Sequence, residues 1–128
     1  QEFKKVNCEI YAISTDTHFA HKTWHDISKN ISKIEYPMIG DPTHTLTYDF
    51  DVFDENDGLA QRGSFIIDPE GKIVVYEVNA GNVGRNADEL LRRLHACQFV
   101  YEHGDNVCPA KWKLGEKTIQ TTIENIGK

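Results

Sequence analysis

The sequence predicts an α/β fold: a mixed central sheet with flanking helices and a C-terminal tail. Three observations carry this. "VNCEIYAIS" (6–14) alternates and is rich in β-forming residues. Two β-rich runs, 63–67 and 72–78, flank Asp68-Pro69-Glu70-Gly71 as in a hairpin. A helical repeat then places Ala87, Leu90, Leu91, Leu94, Cys97 and Tyr101 on one face. Strands and helices interleave along the chain, which favours helices packed on a sheet.

The elements follow in order. In the first strand Val6, Cys8, Ile10 and Ala12 share a face. Asp16 or Thr17 caps a helix running to about residue 32, with Phe19, Trp24, Ile27 and Ile31 as its apolar stripe. "YPMIGDP" is a short strand ending in a turn, and "THTLTYDFDVF" a short helix. After the hairpin, Asn86 and Glu89 resemble a capping box. Asp88–Arg92 and Glu89–Arg93 have i,i+4 ion-pair spacing, and the helix should stop near Gly104. Residues 105–128 read as a polar, loop-like tail with a turn of helix near 118–126. The chain has no linker, so 1–104 is expected to form the core and 105–128 a tail of the same domain. "QEFKKVNCEIYAIS" opens like the last turn of a helix entering a strand, so the natural chain is expected to begin upstream.

Composition removes several functions. A net charge of −6 argues against a broad nucleic-acid-binding face. No apolar run approaches the ~18 residues a membrane helix needs. Three cysteines, with no Cys-x-x-Cys pair, fit neither a disulfide scaffold nor a structural zinc site.

Of the three, Cys8 in the strand and Cys97 on the helix read as small buried hydrophobes. Cys108 stands in "GDNVCPAKWKLGEKT", beside Pro109 and close to Lys111 and Lys113, which would favour a thiolate. It is either a redox thiol on a mobile tail or a surface cysteine without a role. His18, His21 and His25 share a helix, and the i,i+4 pair could bind a metal. The general-base glutamate of a zinc protease motif is absent, and surface or capping histidines are the simpler reading. "DFDVFDENDG" fails as a calcium loop, because Phe53 falls on a ligand position in either register. Arg62 and Arg85 start a strand and a helix; each can be a surface ion pair or hold an anion.

"AISTDTHFAHKTWHD", "MIGDPTHTLTYDFDV", "GLAQRGSFIIDPEGKI", "GRNADELLRRLHACQFVYEHG" and "VCPAKW" together resemble a typical 2-Cys peroxiredoxin, in the alkyl hydroperoxide reductase C (AhpC/TSA) branch. The resemblance implies a thioredoxin-like fold and a cytoplasmic peroxidase that needs no cofactor. A peroxidatic cysteine would attack hydrogen peroxide or an organic hydroperoxide, and its sulfenic acid would condense with a resolving cysteine of the partner protomer. Cys108 matches the resolving cysteine, Arg62 the active-site arginine, and Arg85 a second supporting arginine. Trp24 resembles a residue packing near that site. The implied partners are a flavoprotein disulfide reductase or thioredoxin, and a second copy of the chain in a homodimer or ring of dimers.

One departure matters. The family's "PxxFTFVCPTE" motif does not occur here, and Cys8 lacks its setting. The expectation is therefore a peroxiredoxin lacking the N-terminal part with the nucleophile, inactive as a 128-residue chain. The alternative is a non-enzymatic fragment acting as a binding or oligomerisation module.

Overall fold

The computed structural model describes residues 1–127, which divide into two compact units: 1–63 with 77–84, and 64–76 with 85–127.

The first unit begins with α1 (Glu2–Lys5). Asn7 then takes a left-handed conformation (φ 56°), and the Cys8 amide turns back to the Phe3 carbonyl at 3.0 Å. Residues 6–8 therefore close a helix instead of opening a strand. The predicted strand 6–14 contracts to β1 (Ala12–Ser14). A ladder exists only where a partner backbone lies opposite, and β2 (Met38–Gly40) offers three residues, in parallel register from Ala12↔Met38 to Ser14↔Gly40. Gly40 is required here. A Cβ on it would stand 2.8 Å from the Asp16 carbonyl oxygen.

Thr17 caps α2 (His18–Ile27), its hydroxyl accepting from the Ala20 amide at 3.2 Å. The helix ends earlier than its apolar stripe predicts. Ser28 is extended, and its hydroxyl accepts from the Ile31 amide, starting a separate 3-10 turn at Ile31–Lys33. The predicted short helix is α3 (Thr45–Asp49). Buried Asp41 anchors it: its carboxylate accepts from the Thr47 amide (2.8 Å), the Thr47 hydroxyl (2.7 Å) and the Leu46 amide (3.2 Å). Burial alone would raise the Asp41 pKa, but these donors outweigh it and hold the carboxyl below its usual range. The acidic stretch forms a small antiparallel pair, β3 (Phe53–Asp54) with β4 (Leu59–Ala60). Its carboxylates serve as turn acceptors, Asp54 for the Asn56 amide and Asp57 for the Leu59 amide.

β5 (Arg62–Ile67) and β6 (Ile73–Asn79) pair as the predicted hairpin. The Asp68 carboxylate accepts from the amides of Glu70 and Lys72, and Gly71 supplies the positive φ (83°).

In the second unit, Asn86 caps α4 (Ala87–Glu102) by accepting from the amides of Asp88 and Glu89. Only this half of the capping box forms as drawn, because the Glu89 side chain turns to Arg92 and Arg93. The tail holds a strand pair that the sequence does not predict, and a helical turn where it predicts one. β7 (Asn106–Val107) pairs antiparallel with β8 (Ile119–Gln120), and Ile123–Asn125 forms a 3-10 turn. Between the two strands sits Trp112, only 2% exposed. Its indole N–H donates to the Glu116 carbonyl at 2.9 Å, and its ring lies 5.2 Å from that of Phe99 on α4. A polar segment is thus anchored by one large apolar side chain.

The class is mixed α/β, as expected. Among the described residues the strands form four two-stranded sheets and not one central sheet.

Candidate functional site

Cys108 follows β7 directly and is half-buried. α4 ends at Glu102, a turn from His103 to Asn106 reverses the chain, and the strand returns along the helix. The Cys108 sulfur consequently lies 3.9 Å from the Ala96 carbonyl oxygen. Two contacts hold the segment there. The Trp112 side chain is buried, and Arg92 Nη1 donates to the Trp112 carbonyl at 2.9 Å. Arg92 is itself fixed by Glu89, with Nε donating to Oε2 at 2.7 Å and Nη2 to Oε1 at 2.8 Å.

Burial pushes the Cys108 thiol above its ordinary pKa, and the Arg92 guanidinium opposes that rise. The sequence assigned thiolate stabilisation to Lys111 and Lys113. The structure gives it to Arg92, and the net direction is a raised pKa. Cys108 is therefore mostly a neutral thiol at pH 7, a poor nucleophile towards a free oxidant until it is deprotonated.

The Glu89 carboxyl is held down at about 2, first by its hydrogen bond to Arg92, with burial opposing and Arg93 adding to the effect. Its folded pKa lies below the ordinary 4.5, so the stabilisation is complete above about pH 4.5 and is lost as pH falls towards 2. Glu89→Gln should remove that part of the acid dependence. The check is the thermal midpoint of both proteins across this window. A variant curve parallel to the wild type would refute the linkage.

Arg62 opens β5 and is exposed. Its Nε donates to the Gly81 carbonyl at 2.7 Å, which orients the guanidinium. Its Nη groups make no hydrogen bond among the described residues, leaving that side of the fork available to an anion. Arg85 precedes the Asn86 cap, is exposed, and forms no ion pair among the described residues. Arg62 belongs to the first unit; Arg85 and Cys108 belong to the second.

Cys8 and Cys97 are half-buried thiols and not fully buried hydrophobes, and Cys8 lies outside any strand. Burial raises the pKa of both. The three histidines separate by role. His21 is buried and bonds the Ser14 hydroxyl, His25 lies 3.2 Å from the Ile34 carbonyl oxygen, and the His18 ring packs on Phe19. No group of three or more His, Cys, Asp or Glu residues among the described residues is arranged to hold a metal. Trp24 is half exposed on α2. Neither of two open grooves, about 470 Å³ beside Arg92 and His95 and about 330 Å³ beside His18 and Tyr36, contains Arg62, Arg85 or Cys108. No helix among the described residues is long and apolar enough to cross a membrane.

Sequence reasoning missed the two side chains that place Cys108. The i,i+4 rule gave Arg92 to Asp88, whereas the i,i+3 carboxylate of Glu89 takes it. For Trp112 the signal was present: a large aromatic in a polar run, next to "CPAK".

Comparison with known proteins covers the whole chain. Residues 1–76 match the AhpC/TSA family, and residues 96–126 match the C-terminal domain of 1-Cys peroxiredoxin. The chain is 50% identical over 127 residues to alkyl hydroperoxide reductase C of Staphylococcus epidermidis, covering 99% of this chain and 67% of that protein. It is 51% identical over 125 residues to the Bacillus subtilis protein of the same name, covering 98% and 67%. Among solved structures it is similar to Enterococcus faecalis AhpC, with TM-score 0.81 and 52% identity over 84% of this chain and 64% of that one. It is also similar to Plasmodium vivax 2-Cys peroxiredoxin in its reduced form, with TM-score 0.90 and 28% identity over 96% and 64%. The chain thus spans about two thirds of the length of the proteins it matches.

Proposed function

This chain belongs to the AhpC/TSA family and shares the thioredoxin-like fold of its peroxiredoxin neighbours; on that premise we propose that the whole protein is a thiol-dependent peroxidase in which Cys108 is the resolving cysteine. The carrying observation is the position of Cys108. It lies in "VCPAKW", inside a match of 51% identity that runs across the full chain. It is presented on α4 by the Trp112 and Arg92 contacts.

The chemistry follows in three steps. A peroxidatic thiolate attacks a hydroperoxide; the O–O bond breaks, an alcohol or water leaves, and the sulfur becomes a sulfenic acid. The Cys108 thiolate attacks that sulfur, expelling hydroxide as water and forming a disulfide between protomers. A dithiol reductant, either a flavoprotein disulfide reductase or thioredoxin, returns two electrons. No residue of this chain has a "VCPT" setting, so the nucleophile is assigned to the part of the family's length that this sequence does not span. Arg62, oriented by Gly81, would stabilise the thiolate and orient the peroxide oxygens, with Arg85 in support. Sulfur carries the electrons, so no cofactor is required. The reading places the protein in the cytoplasm, as a homodimer or a ring of dimers.

The test is catalytic turnover of hydrogen peroxide and an alkyl hydroperoxide by the whole protein, with a protein disulfide reductase supplying electrons. Wild type should turn over repeatedly, and Cys108→Ser should stop after about one equivalent of peroxide per protomer. Sustained turnover by Cys108→Ser with the same reductase would overturn the resolving role.

A second reading has its own observation. Ile73, Tyr76, Ile27 and Phe19 are all more than half exposed, and few apolar side chains are buried in either unit. The isolated 128-residue chain is then an association module. It should self-associate in sedimentation and consume no peroxide; peroxide turnover by it would exclude this reading.

A further inference from the structure

Cys97 lies on α4 immediately after Ala96, whose carbonyl oxygen is 3.9 Å from the Cys108 sulfur. The local path explains the proximity. From Glu102 back to Cys97 is about 7.5 Å of helix axis at ~1.5 Å per residue. The extended return Asn106–Cys108 covers a comparable length at ~3.3 Å per residue. The β7–β8 pairing and the Arg92–Trp112 hydrogen bond fix that return on the helix. Both thiols are free and half-buried in the same unit.

We propose that Cys97 and Cys108 form an intrachain redox pair that can close into a disulfide between α4 and the segment following β7. The electrostatics agree with this geometry. Burial raises the Cys97 thiol first, and a neighbouring negative charge on Cys108 raises it further, so Cys97 senses the charge on Cys108. Nothing in the proposed peroxidase cycle uses Cys97.

Two reactions close the pair. With a thiol oxidant such as diamide, the two thiols lose two protons and two electrons while the azo bond of diamide is reduced to a hydrazine. In the peroxidase cycle, the Cys97 thiolate attacks the Cys108 sulfur of the disulfide between protomers. The new Cys97–Cys108 bond forms, the old bond breaks, and the peroxidatic sulfur leaves as a thiolate. No electron is gained or lost overall, and the proton of Cys97 passes to solvent. The second route rests on Cys108 being the resolving cysteine; the first does not. The exchange would free the nucleophile for another turnover and leave the oxidising equivalents within one chain.

The experiment is diamide oxidation of the 128-residue chain at low concentration, followed by alkylation and non-reducing peptide mapping. The expected product is a monomer whose Cys97 and Cys108 peptides are joined. Cys97→Ser and Cys97→Ala should each leave Cys108 alkylated in the monomer. A free Cys97 in the oxidised wild-type monomer would overturn the pair. In the whole protein after hydroperoxide, the disulfide between protomers should decay into monomer several-fold faster in wild type than in Cys97→Ser. Equal decay would overturn the exchange route. A pair that closes with diamide, with Cys108 forming no bond to a second protomer after hydroperoxide, would uphold the pair and refute the resolving role.

Discussion

Replacing Trp112 with alanine is expected to cost about 3–5 kcal/mol of stability, the range for deleting a fully buried aromatic. Trp112 is 2% exposed, so alanine leaves a cavity where the indole meets Phe99. It also removes the donor to the Glu116 carbonyl, leaving that acceptor without its indole partner. The consequence reaches the candidate site. The Trp112 carbonyl is what Arg92 holds, so loosening this residue releases the segment carrying Cys108. Chemical denaturation measures the first effect. Faster alkylation of Cys108 under native conditions measures the second. Trp24→Ala is the control: that side chain is half exposed, and its loss should cost about 1 kcal/mol or less. Equal losses for the two variants would show that the tail is not anchored through Trp112.

Arg62→Ala in the whole protein is expected to slow the reaction with hydroperoxide by about 10²–10³-fold, the cost of one preorganised donor at a site of developing negative charge. The geometry gives the reason. Nε is committed to the Gly81 carbonyl, so the guanidinium plane is set before any substrate arrives. Lysine keeps the charge but loses both the planar fork and the orienting bond, so Arg62→Lys should recover little of the rate. Stability should change little, because the side chain is exposed. The measurement is the second-order rate constant for peroxide under single-turnover conditions. A variant within about threefold of wild type would remove Arg62 from the site.

Much of the fold was legible in the sequence because local chemistry decides it. The hairpin follows from Asp68 and Gly71, α4 from Asn86 and its apolar period, and α2 from Thr17. The misreadings have physical causes. Alternation in 6–14 looks like a strand, but a strand needs a neighbour, and β2 is three residues long. The Ile31 stripe position looks helical, but the Ser28 hydroxyl competes for the Ile31 amide. The tail looks unstructured because its composition is polar, and a single buried tryptophan overrides that average.

The candidate site was legible in part. Motif resemblance nominates Cys108, Arg62 and Arg85 as its residues. It could not say what sets the thiol's charge, because that depends on Arg92, sixteen residues earlier in the chain and brought close only by the reversal after α4. Nor could spacing alone bring Cys108 to the Ala96 carbonyl on α4, since that contact comes from the same reversal.

The most direct test of the account is the disulfide connectivity of the whole protein within the first turnover with hydroperoxide, trapped by acid and mapped under non-reducing conditions. The expected product is a peptide containing Cys108 joined to one containing a cysteine in a "VCPT" setting, on the other protomer. Peroxide consumed stoichiometrically with Cys108 recovered as a free thiol would contradict it.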